Sequence, residues 1–173
     1  MLIAGSDLQE LANSVFPRDP DVHVGSSSID IRIGSTLKVG EHGLARVTLD
    51  SEGKPEYHGF YELDIPLGER FVLKPGNLYI AHSLEWIEMP PDVAAFLALR
   101  SSAGRRGIDH LHAGYAEPGW KGQLTFELSV IIPTEIIIGE RIAQLVFFRA
   151  SSESVYAGQY QMQIGPTLAG RIA

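Results

Sequence analysis

Apolar and polar residues alternate over Ser28–Leu37, SIDIRIGSTL, with Ile29, Ile31 and Ile33 on one face and Ser28, Asp30 and Arg32 on the other. A period of two is what a strand with one buried face requires. The same period runs from Leu124 to Val130, setting Leu124, Phe126 and Leu128 against Thr125, Glu127 and Ser129. Residues 6–14, SDLQELANS, repeat at helical spacing through Leu8, Leu11 and Ala12 and predict a short helix capped by Ser6 or Asp7. The segment 16–25 is interrupted by Pro17 and Pro20 and is expected to be extended or looped. From Phe71 the chain reads FVL, a turn at Lys74–Asn77, then LYIAHSLEWIEM, until Pro90-Pro91 breaks it. The following DVAAFLALR fits a helix or a buried strand by pattern alone, and its shortness among strands favours the strand. IIPTEIIIGERIAQLVFF predicts two apolar strands flanking a Gly139-Glu140 turn. Residues 41–68 carry turn signals at Gly43, Gly53-Lys54-Pro55 and Gly59 and no site chemistry.

Eighteen glycines and ten prolines spread through 173 residues fit many short strands joined by turns. The expectation is an all-β fold on one core, with residues 1–173 forming a single domain. Residues 151–173 are polar, Gly-rich and poor in core formers, and read as a mobile tail. That tail nevertheless carries Tyr156, Tyr160, Gln161 and Gln163, side chains suited to ordering over a ligand as a lid does. No apolar run is long enough to span a bilayer, and Asp7 and Glu10 interrupt the N-terminus, so no membrane partner and a cytoplasmic location are expected. A formal net charge of −7 argues against polymeric nucleic acid as a partner. With no cysteine, disulfides, thiol nucleophiles and Cys-ligated zinc sites are excluded, the zinc site of base deaminases among them.

Candidate chemistry concentrates between Arg100 and Glu127. Ser101, Ser102, Gly104 and Gly107 offer hydroxyls and approachable backbone N–H groups, while Arg100, Arg105 and Arg106 offer fixed positive charge. Together they suit a phosphorylated ligand. Glu127, on the polar face of its strand, is either solvated or set into a pocket.

RSSAGRRG, AGYAEPGWKGQLTFELS, IIIGERIAQLVFF and YAGQYQMQIGPT, with SDLQEL and SSSIDIRIG before them, resemble in order the motifs of the dCTP deaminase branch of the dUTPase-like superfamily. The resemblance implies a distorted jelly-roll or β-barrel of the dUTPase-like type with a short N-terminal helix and a flexible C-terminal tail. It implies a homotrimer with sites between subunits that takes deoxycytidine and deoxyuridine nucleotides. Magnesium would ride on the triphosphate, with no zinc and no protein metal site. Glu127 takes the position of the general acid–base, Ser101 that of a residue that helps to hold the attacking water, and Arg105 that of one that orients the base or the glutamate. Replacing the C4 amino group needs a proton taken from water, one given to the ring nitrogen and one given to ammonia, which one carboxylate of raised pKa can do in turn. Arg100, Ser102, Ala103, Gly104, Ala113, Thr125, Phe126, Tyr156 and Gln163 fall on nucleotide-contacting positions of the same motifs.

The chain also departs from that pattern. Glu117 replaces an aspartate that contacts the deoxyribose and, in dUTPases, helps to activate water. His112 stands at a threonine position, in a 107–113 loop one residue shorter than usual, and Gln159 replaces a lysine that approaches the phosphates. Arg106 occupies an apolar position and receives no role. Asp30 and Arg32 are expected to be structural, and Trp120 to pack beside the turn. The reading placed first is hydrolytic deamination of dCTP to dUTP and ammonia. A dUTPase or a bifunctional enzyme giving dUMP and pyrophosphate, a deaminase preferring dCMP or a modified dCTP, and a non-catalytic nucleotide sensor remain open to it.

Overall fold

A computed structural model describes residues 1–110 and 113–170, so the substitution at His112 lies outside the described residues. Two antiparallel sheets carry the architecture. One has four strands in the order Ile29–Arg32, Arg141–Arg149, Val93–Leu99 and Tyr115–Ala116. The other has five, in the order Ile108–His110, Thr125–Val130, Leu78–His82, Thr36–Gly40 and Phe60–Asp64. Alternation along these strands feeds one core: Ile29, Ile31, Leu145 and Phe147 from the first sheet, Leu37, Val39, Tyr79, Phe126 and Leu128 from the second. Burying each such side chain contributes about 1.5–3 kcal/mol, which fixes the register because a one-residue slip would turn the whole set outward. This is the all-β barrel expected, with one helix of three turns at the N-terminus.

That helix spans Gly5–Val15 and buries Leu8, Leu11, Ala12 and Val15. Its N-cap position is Ala4, extended and without a side-chain cap, so neither Ser6 nor Asp7 caps it. Asp7 lies inside the first turn, where its charge faces the positive end of the helix dipole. No helix among the described residues is long and apolar enough to cross a membrane.

The strand expected over residues 28–37 is divided between the two sheets, Ile29–Arg32 in one and Thr36–Gly40 in the other. The break falls at Gly34, whose N–H donates to the His82 carbonyl at 2.7 Å. A Cβ at residue 34 would run into the His82 imidazole, so only glycine lets the backbone pass. DVAAFLALR forms the strand Val93–Leu99, as its length indicated. The two strands flanking Gly139-Glu140 form but do not pair with one another: Thr134–Ile137 pairs with Arg70–Leu73, and Arg141–Arg149 with Val93–Leu99.

Asp30 and Arg32 are not on a solvated face. Asp30 is 8% exposed and accepts from Arg100, with Arg141 at 3.4 Å and His23 at 3.7 Å. Arg32 donates from Nε to Glu85 at 2.6 Å and from its backbone N–H to the same carboxylate at 3.0 Å. Burial pushes the pKa of Glu85 up and its contacts with Arg32 hold it down. These ion pairs fit the structural role expected for Asp30 and Arg32, and removing Arg32 would leave the buried Glu85 carboxylate without its guanidinium.

Candidate active site

Thr125–Val130 lies between Ile108–His110 and Leu78–His82 in the five-stranded sheet, with Glu127 opposite Ile80. Its alternation sends Phe126, Leu128 and Val130 into the core and leaves Thr125, Glu127 and Ser129 half-buried on the other face. That face opens on a cavity of about 520 Å³, lined by Ala113, Glu117, Trp120, Thr125, Glu127, Tyr156 and Gln163 among others. The pocket reading of Glu127 therefore holds over the solvated one. Desolvation by burial raises its pKa, while a backbone hydrogen bond pulls the other way. Its Oε2 is buried without a hydrogen-bond partner among the described residues, and His110 Nε2 comes within 3.3 Å of it. A half-buried carboxylate beside an imidazole, on a strand that lines a pocket, is the type of group that can exchange a proton with a ligand there.

Glu117 stands at the turn that Trp120 N–H closes by donating to the Glu117 carbonyl at 3.2 Å. Trp120 is buried under the pocket, and its indole N–H donates to the Tyr160 carbonyl at 2.9 Å, so it packs beside the turn as expected. The tail is seated rather than loose. Gln163 Nε2 donates to the Gln123 carbonyl at 2.7 Å, and the backbone N–H of Gln123 returns a bond to the Gln163 carbonyl at 3.0 Å. Gln161 accepts from the Lys121 N–H at 2.7 Å and donates to the Gly119 carbonyl at 3.0 Å. Tyr156, Tyr160 and Gln163 thereby become pocket walls.

Other expected residues are not brought to Glu127 within one chain. Ser101, Ser102 and Gly104, on the short helix Ser101–Gly104, are exposed, as is Arg105 after it, and none of the four lines the cavity. Ala103 and the Phe126 side chain are fully buried in the core, so any contact they make with a ligand is through backbone. Arg100 is held by Asp30 in a separate depression shared with His23, Arg32, Glu85 and Arg141. Gln159 is exposed, with its side-chain amide over Gly170 rather than in the cavity. Arg106 bonds Glu140 at 2.8 Å and the Glu135 carbonyl at 3.2 Å, which gives the unassigned arginine a structural place.

Sequence reasoning missed Val47, Tyr57, Leu78, Ile80 and the tail residues Thr167–Ala169, all of which line the cavity. Val47 and Tyr57 face each other across the hairpin of Arg46–Leu49 with Pro55–His58. No local pattern in the sequence marks them as cavity residues.

A family described as dCTP deaminase-like matches residues 5–150, and the chain belongs to it. A Beutenbergia cavernae protein named "dCTP deaminase, dUMP-forming" is 36% identical, over 96% of this chain and 93% of its own. A protein of the same name from Methanopyrus kandleri is 38% identical over 78% of this chain and 72% of its own. Among solved structures, the 2'-deoxycytidine 5'-triphosphate deaminase of Agrobacterium tumefaciens superposes with a TM-score of 0.64 at 24% identity, over 87% of this chain. That likeness is one of fold, and the chain spans about half (48%) of that protein's length.

Proposed function

We propose that this protein converts dCTP to dUMP in two hydrolytic steps: dCTP and water give dUTP and ammonia, then dUTP and a second water give dUMP and pyrophosphate. The observation that carries the reading is Glu127, a half-buried carboxylate of raised pKa on a pocket floor, in a chain whose relatives bear the name "dCTP deaminase, dUMP-forming". Those names favour the bifunctional alternative over the release of dUTP that the sequence reading put first.

In the first step Glu127 takes a proton from water as its oxygen bonds C4, passes that proton to N3, then delivers the second to the departing ammonia. A carboxylate raised by burial is the type of group that can both take and return protons near neutrality. In the second step Glu117, the other carboxylate of the cavity, takes a proton from the water that attacks the α-phosphorus, and the bridging oxygen leaves with pyrophosphate. Magnesium belongs to this reading as a passenger on the triphosphate oxygens. Among the described residues no group of three or more His, Asp or Glu could hold a metal ion, so no step is routed through a protein-bound one.

The same reading makes the enzyme a homotrimer with sites between subunits. Among the described residues that line the Glu127 cavity there is no Lys, Arg or His, while two are glutamates. A triphosphate held there calls for positive charge beyond these lining residues. Ser101, Ser102 and Arg105 are exposed outside the cavity and are available to a neighbouring copy. The test is incubation of the purified protein with dCTP and magnesium, following ammonia, dUTP, dUMP and pyrophosphate. Ammonia, dUMP and pyrophosphate in equal amounts are expected. Accumulating dUTP would remove the second step, and no turnover would overturn the reading.

A further inference from the structure

The cavity over Glu127 is closed by two elements, of which the tail is one. The other is the hairpin of Arg46–Leu49 with Pro55–His58, which pairs with no other strand among the described residues. Its first strand is exposed along its whole length. A two-stranded hairpin has little stability alone, so its position depends on what it touches. On one side the Tyr57 ring meets Phe60 of the five-stranded sheet edge-on, with centroids 5.2 Å apart. On the other, the Tyr57 hydroxyl oxygen accepts the Ala169 N–H at 2.9 Å, a bond that joins positions 112 residues apart. The tail bonds made by Gln161 and Gln163 tie it to residues 119–125 on one flank of the cavity. The Ala169–Tyr57 bond ties it to the hairpin, and Val47, Tyr57, Leu168 and Ala169 together line the cavity.

We infer that the hairpin is the docking post for the tail and that Tyr57 is a positioning residue, its hydroxyl latching residues 167–170 across the cavity over a bound nucleotide. The latch itself stands on the hydrogen bond and the shared lining. Its consequence for catalysis rests on the proposed function. A closed roof slows escape of the bound nucleotide and so retains dUTP for the second hydrolysis.

The test is hydrogen–deuterium exchange of the full chain, wild type against Tyr57→Phe, which keeps the ring on Phe60 and removes only the acceptor. Exchange at residues 167–170 is expected to rise about three- to five-fold. Residues 161–165 and the melting temperature should be unchanged. Ala169→Pro deletes the donor of the same bond, and the double variant is expected to exceed neither single one in KM for dCTP, which rises with kcat nearly constant. Unchanged exchange at 167–170 in Tyr57→Phe overturns the latch. Exchange that rises across the hairpin as well, or a KM that stays at the wild-type value, reduces the contact to a structural bond and overturns the positioning role. If wild type does not turn over dCTP at all, the nucleotide reading fails, while the exchange experiment still decides whether the latch exists.

Discussion

Glu127 sits where two requirements conflict. The strand that carries it is held by apolar neighbours on both sides in sequence, Phe126 and Leu128, and the space above it is partly closed, so ionising it costs free energy. The unfolded chain has no such cost. As pH rises past the ordinary value of 4.5, the unfolded state loses the proton first, and the folded state loses relative stability until its own raised pKa is passed. Glu127→Gln cannot ionise and escapes this loss. Its melting temperature should match wild type near about pH 4 and exceed it by a few degrees near about pH 8, while deamination falls by roughly 10²–10⁴-fold. A variant that retains activity within a few-fold would end the acid–base assignment. A melting difference that does not grow with pH would show that folding does not raise the Glu127 pKa. The position of Glu127 was legible because period-two alternation is local and survives without knowledge of partners. The partners of Asp30 were not: Arg100 and Arg141 lie 70 and 111 residues away in sequence, and no pattern within ten residues announces a pair closed by the fold.

At the scale of elements, the junction at Gly34 decides how the first strand is shared between sheets. Residues 28–33 alternate strictly and Leu37 returns to the same face, so the pattern predicts one strand, and Gly34 with the polar Ser35 on the apolar face marks the crossing. What the pattern omits is the His82 imidazole, which occupies the volume beside residue 34 and hydrogen-bonds the Ser83 carbonyl at 2.8 Å. Gly34→Ala is expected to destabilise the fold by about 2–3 kcal/mol, because the methyl group displaces a buried ring rather than a flexible chain end. Urea titration measures it, and a loss below about 0.5 kcal/mol, the range of ordinary surface changes, would mean that the ring moves freely. The hairpin of residues 46–58 shows the opposite limit. Its turn was legible, its strands form, yet nothing local says that Val47 and Tyr57 belong to the cavity, because that depends on where the hairpin is set down against a tail more than a hundred residues later.

On the proposed function, the whole molecule divides its chemistry between two regions of one chain: carboxylates in the cavity, and serines and arginine on an exposed turn. The outer face of the four-stranded sheet also presents Phe96, Tyr115 and Phe148 with their rings in contact, Phe96 and Tyr115 about half exposed at 53% and 50%. Aromatic clusters of this kind mark surfaces that other chains cover. Sites shared between copies make a prediction that a single-chain site cannot meet. Glu127→Gln lacks the proton carrier but keeps the exposed turn, and Arg105→Ala lacks the turn's cation but keeps the proton carrier. Each alone should be nearly inactive on dCTP. Co-folded in equal amounts, roughly a quarter of the sites would join an intact Glu127 from one copy to an intact Arg105 from another. Activity should return to about that fraction of wild type. If the mixture stays as inactive as its parts, while light scattering shows that the copies have exchanged, then Arg105 and Glu127 do not meet across an interface and the divided site is wrong. If Arg105→Ala alone remains fully active, Arg105 has no part in the chemistry, and the positive charge the triphosphate needs must come from elsewhere.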